Sequence, residues 1–183
     1  FVGSTPQCTA SLIDTKTDGS TVNSPAYILT AGHCVSLGTD TTLADIPFRD
    51  DKGTISFNSF NDTPEEYKTY KIKSVLWSTL RGSDIAILEL DSSLATLVSD
   101  GIQPYKISQH PASAIESIRV IGAPEGLAEK GLRIAKCSQE PVKGTLVELY
   151  QILYPGTMKN QCPDIRKGSS GSPVFDQDSQ QIS

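Results

Sequence analysis

Short β-branched and aromatic runs, each closed by a cluster of turn residues, recur along most of this chain, and that rhythm limits its fold more than any other feature. Strand-like runs lie at Ala26–Thr30, Gly53–Phe57, Tyr70–Leu76, Asp84–Leu90, Ser117–Gly122, Leu132–Cys137 and Thr145–Leu153. Turn clusters sit at Thr17–Ser20, Asn61–Pro64, Ala123–Gly126 and Tyr154–Gly156. Alternating apolar residues bounded by Gly, Pro, Asn and Asp are the signature of strands that bury one face. Many short strands without intervening helices predict an all-β barrel or sandwich rather than an alternating α/β sheet. The best helical stretch is Ser92–Val98, where Leu94, Leu97 and Val98 share a face. A soft boundary falls around Ser92–Gln103, after the apolar run that ends at Leu90.

The 183 residues suit one domain or two small half-domains sharing an interface. A formal charge of −5 weighs against a nucleic-acid partner, since phosphate binding needs concentrated Lys and Arg and the longest basic cluster is Arg166-Lys167. No apolar run approaches the roughly 18 residues of a membrane-spanning helix. The four cysteines, at 8, 34, 137 and 162, form no CxxC pair, and the chain has only two histidines, so zinc is not expected. An even cysteine number fits an oxidising compartment, and a secreted or extracytoplasmic location is expected. No secretory signal is visible at Phe1, which fits a mature or trimmed product. Three pairings are possible on paper; Cys8–Cys34 and Cys137–Cys162 are favoured because each staples a local segment. Each would close a loop worth about 3 kcal/mol in the chain-entropy picture.

Three segments carry chemistry. In Leu29-Thr30-Ala31-Gly32-His33-Cys34, an apolar strand runs through two small residues into a histidine beside a half-cystine. A positioned imidazole is what a general base near neutral pH requires. In Gly82-Ser83-Asp84-Ile85-Ala86-Ile87-Leu88, a carboxylate stands at the mouth of a buried-looking strand, where it could orient an imidazole. In Lys167-Gly168-Ser169-Ser170-Gly171-Ser172-Pro173, glycines permit a tight turn that exposes a serine hydroxyl and gathers backbone N–H groups. Taken singly, each has a plain structural reading, and Ser169, Ser170 and Ser172 all remain candidate nucleophiles.

Together the three resemble the chymotrypsin-like (trypsin-fold) serine peptidases. Thr30-Ala31-Gly32-His33-Cys34 is similar to that family's Thr-Ala-Ala-His-Cys motif. Cys8-Thr9-Ala10-Ser11-Leu12-Ile13 resembles the strand bearing the histidine's disulfide partner. Asp84-Ile85-Ala86-Ile87-Leu88 resembles Asp-Ile-Ala-Leu-Leu, and Gly168-Ser169-Ser170-Gly171-Ser172-Pro173 resembles Gly-Asp-Ser-Gly-Gly-Pro. The resemblance selects Ser170 as nucleophile, with His33 as base, Asp84 as its orienting carboxylate, and the Gly168 and Ser170 N–H groups as oxyanion hole. It implies two six-stranded antiparallel Greek-key β-barrels, residues 1–95 carrying His33 and Asp84 and residues 96–183 carrying Ser170. It also implies peptide-bond hydrolysis through an acyl-enzyme on a protein or peptide substrate, with no metal or organic cofactor.

The sequence departs from the family in three places. Ser169 stands where trypsin has the aspartate that pairs with a new N-terminal amine, and Phe1-Val2-Gly3-Ser4 does not resemble Ile-Val-Gly-Gly, so activation by that pair is not expected. Ser170-Gly171-Ser172-Pro173-Val174-Phe175 is closer to the bacterial glutamyl-endopeptidase branch. Only 13 residues follow Ser170, so the second barrel is expected to be incomplete here, its remainder carried by a C-terminal continuation of the same precursor. In ungapped comparison with trypsin, Asp164 falls at the floor of the pocket for the residue before the scissile bond, which favours Arg or Lys substrates by charge pairing. Arg166 and Lys167 beside it would instead attract acidic ones. His110 reads as a surface loop residue, and Asp62, Glu65 and Glu66 as a solvated acidic loop rather than a calcium site. The rival to an enzyme is a protease-fold binding or scaffold protein, or a processed fragment.

Overall fold

The computed structural model describes residues 7–15, 24–35, 42–48, 53–63, 67–108, 116–127, 131–147 and 153–176. Phe1–Ser4, Glu65, Glu66 and His110 lie outside them. In chain order the strands are β1 (Ser11–Leu12), β2 (Pro25–Thr30), β3 (Thr42–Pro47), β4 (Thr54–Phe57), β5 (Lys68–Thr79) and β6 (Ile85–Ser93). A short helix α1 (Leu94–Ser99) follows, then β7 (Glu116–Gly122), β8 (Arg133–Val147), β9 (Leu153–Asn160) and β10 (Val174–Phe175). The first six strands form one sheet in the order β1-β2-β6-β5-β3, with β4 also paired to β5. The last four form a second, β10-β7-β8-β9, and every strand pairing in both sheets is antiparallel.

This is the chymotrypsin-like all-β architecture expected from the sequence, with sheets that do not close on themselves and a second one of only four described strands. Alternation explains which faces pack. In β2, Ala26, Ile28 and Thr30 are buried, and in β6, Ala86, Leu88 and Leu90 are. Paired against each other, these rows meet Leu12, Ile55, Val75, Leu94 and Leu97 in one apolar core. The second sheet buries Ile118, Val120, Tyr154 and Phe175. Ile134, Leu146 and Leu153 remain exposed on it.

The helix lies where its apolar face predicts, starting two residues later than its expected N-terminal edge. Ser93 caps it, its hydroxyl accepting from Thr96 N–H at 3.1 Å, and Leu94 and Leu97 point inward. Tyr70 of β5 donates to Asp100 Oδ2 at 2.5 Å just beyond its end; burial and this carboxylate together hold the phenol above its ordinary pKa. Predicted boundaries differ from the structure in the second sheet. The run expected at Leu132–Cys137 is the start of a 15-residue strand that begins at Arg133, Thr145 and Leu153 fall in different strands, and Tyr154-Pro155-Gly156 lies inside β9 rather than in a turn. Proline is tolerated there because, among the described residues, β9 pairs only with β8, and Gly156 takes φ +75° beside a shift in register.

The two sheets are stitched together by long-range contacts. Tyr105 forms a parallel bridge to Ile13 beside β1 and packs its ring, tilted by 56°, against Phe175 of β10, centroids 4.5 Å apart. Both disulfides are the locally paired ones, Cys8–Cys34 and Cys137–Cys162. Leu88, fully buried at the centre of the first sheet, should be among the most costly truncations. Leu88→Ala is expected to lower unfolding free energy by about 2–5 kcal/mol, read as a fall in the urea midpoint.

Candidate active site

Register alone brings His33 to Asp84. Thr30 of β2 pairs with Ala86 of β6, so the residues leaving β2 and those entering β6 share one end of the sheet. His33 follows Thr30 by three residues and Asp84 precedes Ala86 by two. A single 3-10 turn, Gly32–Cys34, then folds the histidine back, closed by Val35 N–H donating to Gly32 O at 2.9 Å. Asp84 grips the residue at two points. Its Oδ1 accepts the His33 backbone N–H at 2.8 Å, and its Oδ2 lies 2.6 Å from ring Nδ1. With Nδ1–H donating to Oδ2, the ring is held in the tautomer that leaves Nε2 able to accept a proton. The histidine side chain is 31% exposed and the carboxylate 19%, a half-buried pair with a face open to solvent.

Glycine at position 32 has a steric cause. A Cβ there would lie 2.3 Å from the carbonyl oxygen of Thr79 at the end of β5 and 3.1 Å from Asp84 Oδ1. The family's second alanine therefore does not fit this chain's backbone, and Gly32 lets the turn pass under β5.

The serine turn is held through its carbonyls. Lys167 O accepts from Glu125 N–H at 2.7 Å, Gly168 O from the Thr9 hydroxyl at 2.9 Å, Ser169 O from Ser172 N–H at 3.0 Å, and Ser170 O from Thr9 N–H at 2.7 Å. In a trans peptide the N–H points opposite to the C=O. Pinning the Lys167 and Ser169 carbonyls thus sets the directions of the Gly168 and Ser170 N–H groups. Among the described residues, neither of these two N–H groups donates to another backbone carbonyl. Two glycines make the turn possible. Gly168 has φ +91°, and a Cβ on it would meet Ala123 O at 2.4 Å. Gly171 has φ +78°, and a Cβ on it would meet Thr30 Oγ1 and Thr9 O, each at 2.3 Å.

Those close approaches place the Ser170 turn against the strand end that leads to His33. The Cys8–Cys34 disulfide completes the junction. Cys8 precedes Thr9, which holds Ser170 O, and Cys34 follows His33, with its Sγ 4.0 Å from that same oxygen. The two sulfurs and His33 lie within 4.8 Å of one another, but both sulfurs are committed to the disulfide and offer no thiolate to a metal. Ser169 is buried, and its hydroxyl accepts from Arg166 N–H at 3.5 Å within its own turn.

Asp164 lies on the turn at Pro163–Asp164, six residues before Ser170. It sits on an exposed turn at φ +57°, its side chain 60% exposed and paired with Arg166 Nη2 at 3.0 Å. It borders a cavity of about 760 Å³ that also touches Gly122, Pro163 and Ser169. A larger one, about 880 Å³, runs between the sheets past Thr9, Phe57, Tyr105 and Ala123. Neither includes His33, Asp84 or Ser170 in its lining. Sequence reading passed over Thr9 and Thr30; the one available signal was a hydroxyl in each of the two segments that flank the disulfide.

The profile of the trypsin-like peptidase domain family matches residues 9–182. No curated protein sequence matches the chain. Among solved structures, the Rv3671c protein of M. tuberculosis H37Rv in an inactive form aligns at TM-score 0.51 and 17% identity, covering 85% of this chain and 63% of that one. The apo MamO protease domain of Magnetospirillum magneticum aligns at TM-score 0.53 and 10% identity, covering 94% and 79%. The thermostable serine protease AL20 of an extremophilic microorganism aligns at 0.52 and 14%, covering 95% and 74%. The chain thus spans less than two thirds of the Rv3671c structure, and at these identities the likeness is one of fold.

The Gly32 contact yields a direct test of the turn. Gly32→Ala should lower stability by about 1–3 kcal/mol, measured by urea denaturation. A crystal structure of the variant should show the His33 turn displaced and its Nδ1–Asp84 bond lengthened.

Proposed function

The chain belongs to the trypsin-like peptidase domain family, and from that premise we propose that it is a serine endopeptidase acting through Ser170, His33 and Asp84. The observation that carries the reading is the two-point grip of Asp84 on His33, at the sheet end against which the Ser170 turn packs. In the proposed reaction Ser170 Oγ attacks the scissile carbonyl carbon while its proton passes to His33 Nε2. The carbonyl oxygen becomes an oxyanion held by the Gly168 and Ser170 N–H groups. His33 then gives its proton to the leaving amine, and the C–N bond breaks to leave an ester on Ser170. Water, deprotonated by His33, attacks that ester, releases the acid and restores the serine. Asp84 holds the imidazole in place and stabilises its protonated form in both halves.

The Cys8–Cys34 and Cys137–Cys162 disulfides support a secreted or extracytoplasmic setting, where such bonds persist. No helix among the described residues is long and apolar enough to cross a membrane. The same fold with an inert site would be a binding or scaffold protein, and covalent labelling separates the two. A fluorophosphonate probe should label the wild-type chain and not Ser170→Ala, whose hydrolysis should fall about a millionfold. Asp84→Asn should keep the fold and lose roughly 10⁴ in kcat. A folded wild-type chain that neither labels nor cleaves would sink the enzyme reading.

Cleavage after Arg or Lys is the narrower form of the proposal. It rests on the spacing of Asp164 from Ser170, and the exposed Asp164–Arg166 pair would have to open before that carboxylate met a substrate cation. On matched Arg, Glu and Phe peptides the narrower reading expects the Arg peptide to be cleaved at least about tenfold faster. Asp164→Asn should remove that advantage. An unchanged ranking would assign specificity elsewhere.

A further inference from the structure

Thr9 is buried, at 4% exposure, where the two sheets meet, and every polar group it has is engaged. Its N–H donates to Ser170 O at 2.7 Å, and its carbonyl accepts from the Thr30 hydroxyl at 2.7 Å. Its own hydroxyl accepts from Ala123 N–H at 3.0 Å and donates to Gly168 O at 2.9 Å. The roles are unambiguous. An N–H can only donate and a carbonyl can only accept, so the single hydroxyl proton of Thr9 must go to Gly168.

We infer that Thr9 is a positioning residue for the oxyanion donors, acting through the Gly168–Ser169 peptide. That peptide lies between the two whose N–H groups are the proposed donors. Its neighbours are oriented by backbone bonds, from Glu125 to Lys167 and from Ser172 to Ser169. The middle peptide is held at both ends, its N–H donating to Arg166 O at 2.9 Å and its carbonyl accepting from the Thr9 side chain, so it is the one of the three whose carbonyl is pinned by a side chain. Gly168 adds to this dependence, since a residue without Cβ at φ +91° has little intrinsic preference to keep it there. Without the Thr9 hydroxyl, the Ser169–Arg166 bond alone would resist tilting of that peptide, and a tilt would turn the Gly168 and Ser170 N–H groups relative to each other.

The same residue also sets the turn against the base. Thr9 O is bonded to Thr30, three residues before His33, and Cys8 is bridged to Cys34, the residue after it. One short segment therefore bonds both to the strand end before His33 and, across 159 positions of sequence, to Gly168. Ala123, at the end of β7, is the fourth anchor, so the second sheet is registered against the turn through the same hydroxyl.

The inference rests on the proposed peptidase reading for its kinetic half only. The test compares Thr9→Val, which keeps the shape and removes the hydroxyl, with Thr9→Ser, which restores it. Leu97→Ala, in the core below α1 and remote from the turn, serves as the stability-matched control. In Thr9→Val, kcat on a peptide substrate should fall roughly 10- to 100-fold with KM within about threefold, because the donors act on the transition state. Thr9→Ser should return most of it, and Leu97→Ala should leave both constants near wild type. Independently of turnover, amide exchange at Ser169 and Ser172, whose N–H groups close the turn, should accelerate in Thr9→Val and not in Leu97→Ala. Equal exchange and equal kcat in Thr9→Val and Leu97→Ala would overturn the inference. A wild-type chain without turnover would overturn the peptidase reading, while the exchange comparison would still decide whether Thr9 holds the turn.

Discussion

The pairing of β2 with β6 is the constraint on which everything else depends. It lays Ala26 and Ile28 against Leu88 and Leu90, supplies the centre of the first core, and fixes which residues emerge together at the sheet's end. A slip of one residue would turn the buried rows to solvent and would also part His33 from Asp84. Stability and site geometry are therefore one quantity here. The apolar contacts that favour the register are the same ones that hold a carboxylate 2.6 Å from an imidazole.

A second layer of constraint acts where strands give way to turns. Gly32 and Gly171 are both positions where backbone approaches backbone too closely for a Cβ. Each marks a place where the Ser170 turn or the His33 turn presses on a strand of the first sheet. Backbone packed this closely leaves little room for either turn to drift, which is what pre-organisation amounts to in atomic terms. The cost is that even alanine, the mildest of substitutions, would force a shift of the backbone at each.

Legibility in the sequence followed the range of the interactions involved. The strands with strict alternation, β2 and β6, were readable because each buries one face by its own pattern. β3 was not, since Thr42–Pro47 is mostly exposed and contains Asp45 at φ +50° and a closing proline. The long β8 was cut short by its polar middle, Gln139 to Gly144, where the ladder shifts register. The segments around His33, Asp84 and Ser170, which the proposed reading makes catalytic, stood out because each resembles a known short motif. For Asp164, spacing gives a position six residues before Ser170, and the direction in which the Pro163–Asp164 turn faces depends on contacts that spacing does not encode. Thr9 was illegible for a different reason: its hydroxyl partners lie 159 and 114 positions away, and nothing local announces them.

The long reach of the Thr9 bonds has a consequence for the life of the chain before it is fully folded. The first sheet, with its disulfide-pinned histidine and gripping carboxylate, is assembled from residues that precede position 94. The serine turn meets that sheet through bonds between segments far apart in the chain, Thr9 with Gly168 and Ser170. On the proposed reading, a nascent or half-folded molecule holds a base with nothing to deprotonate. Proteolytic competence would then arrive last, as a property of the finished tertiary structure, and a chain still being made would be harmless to its neighbours.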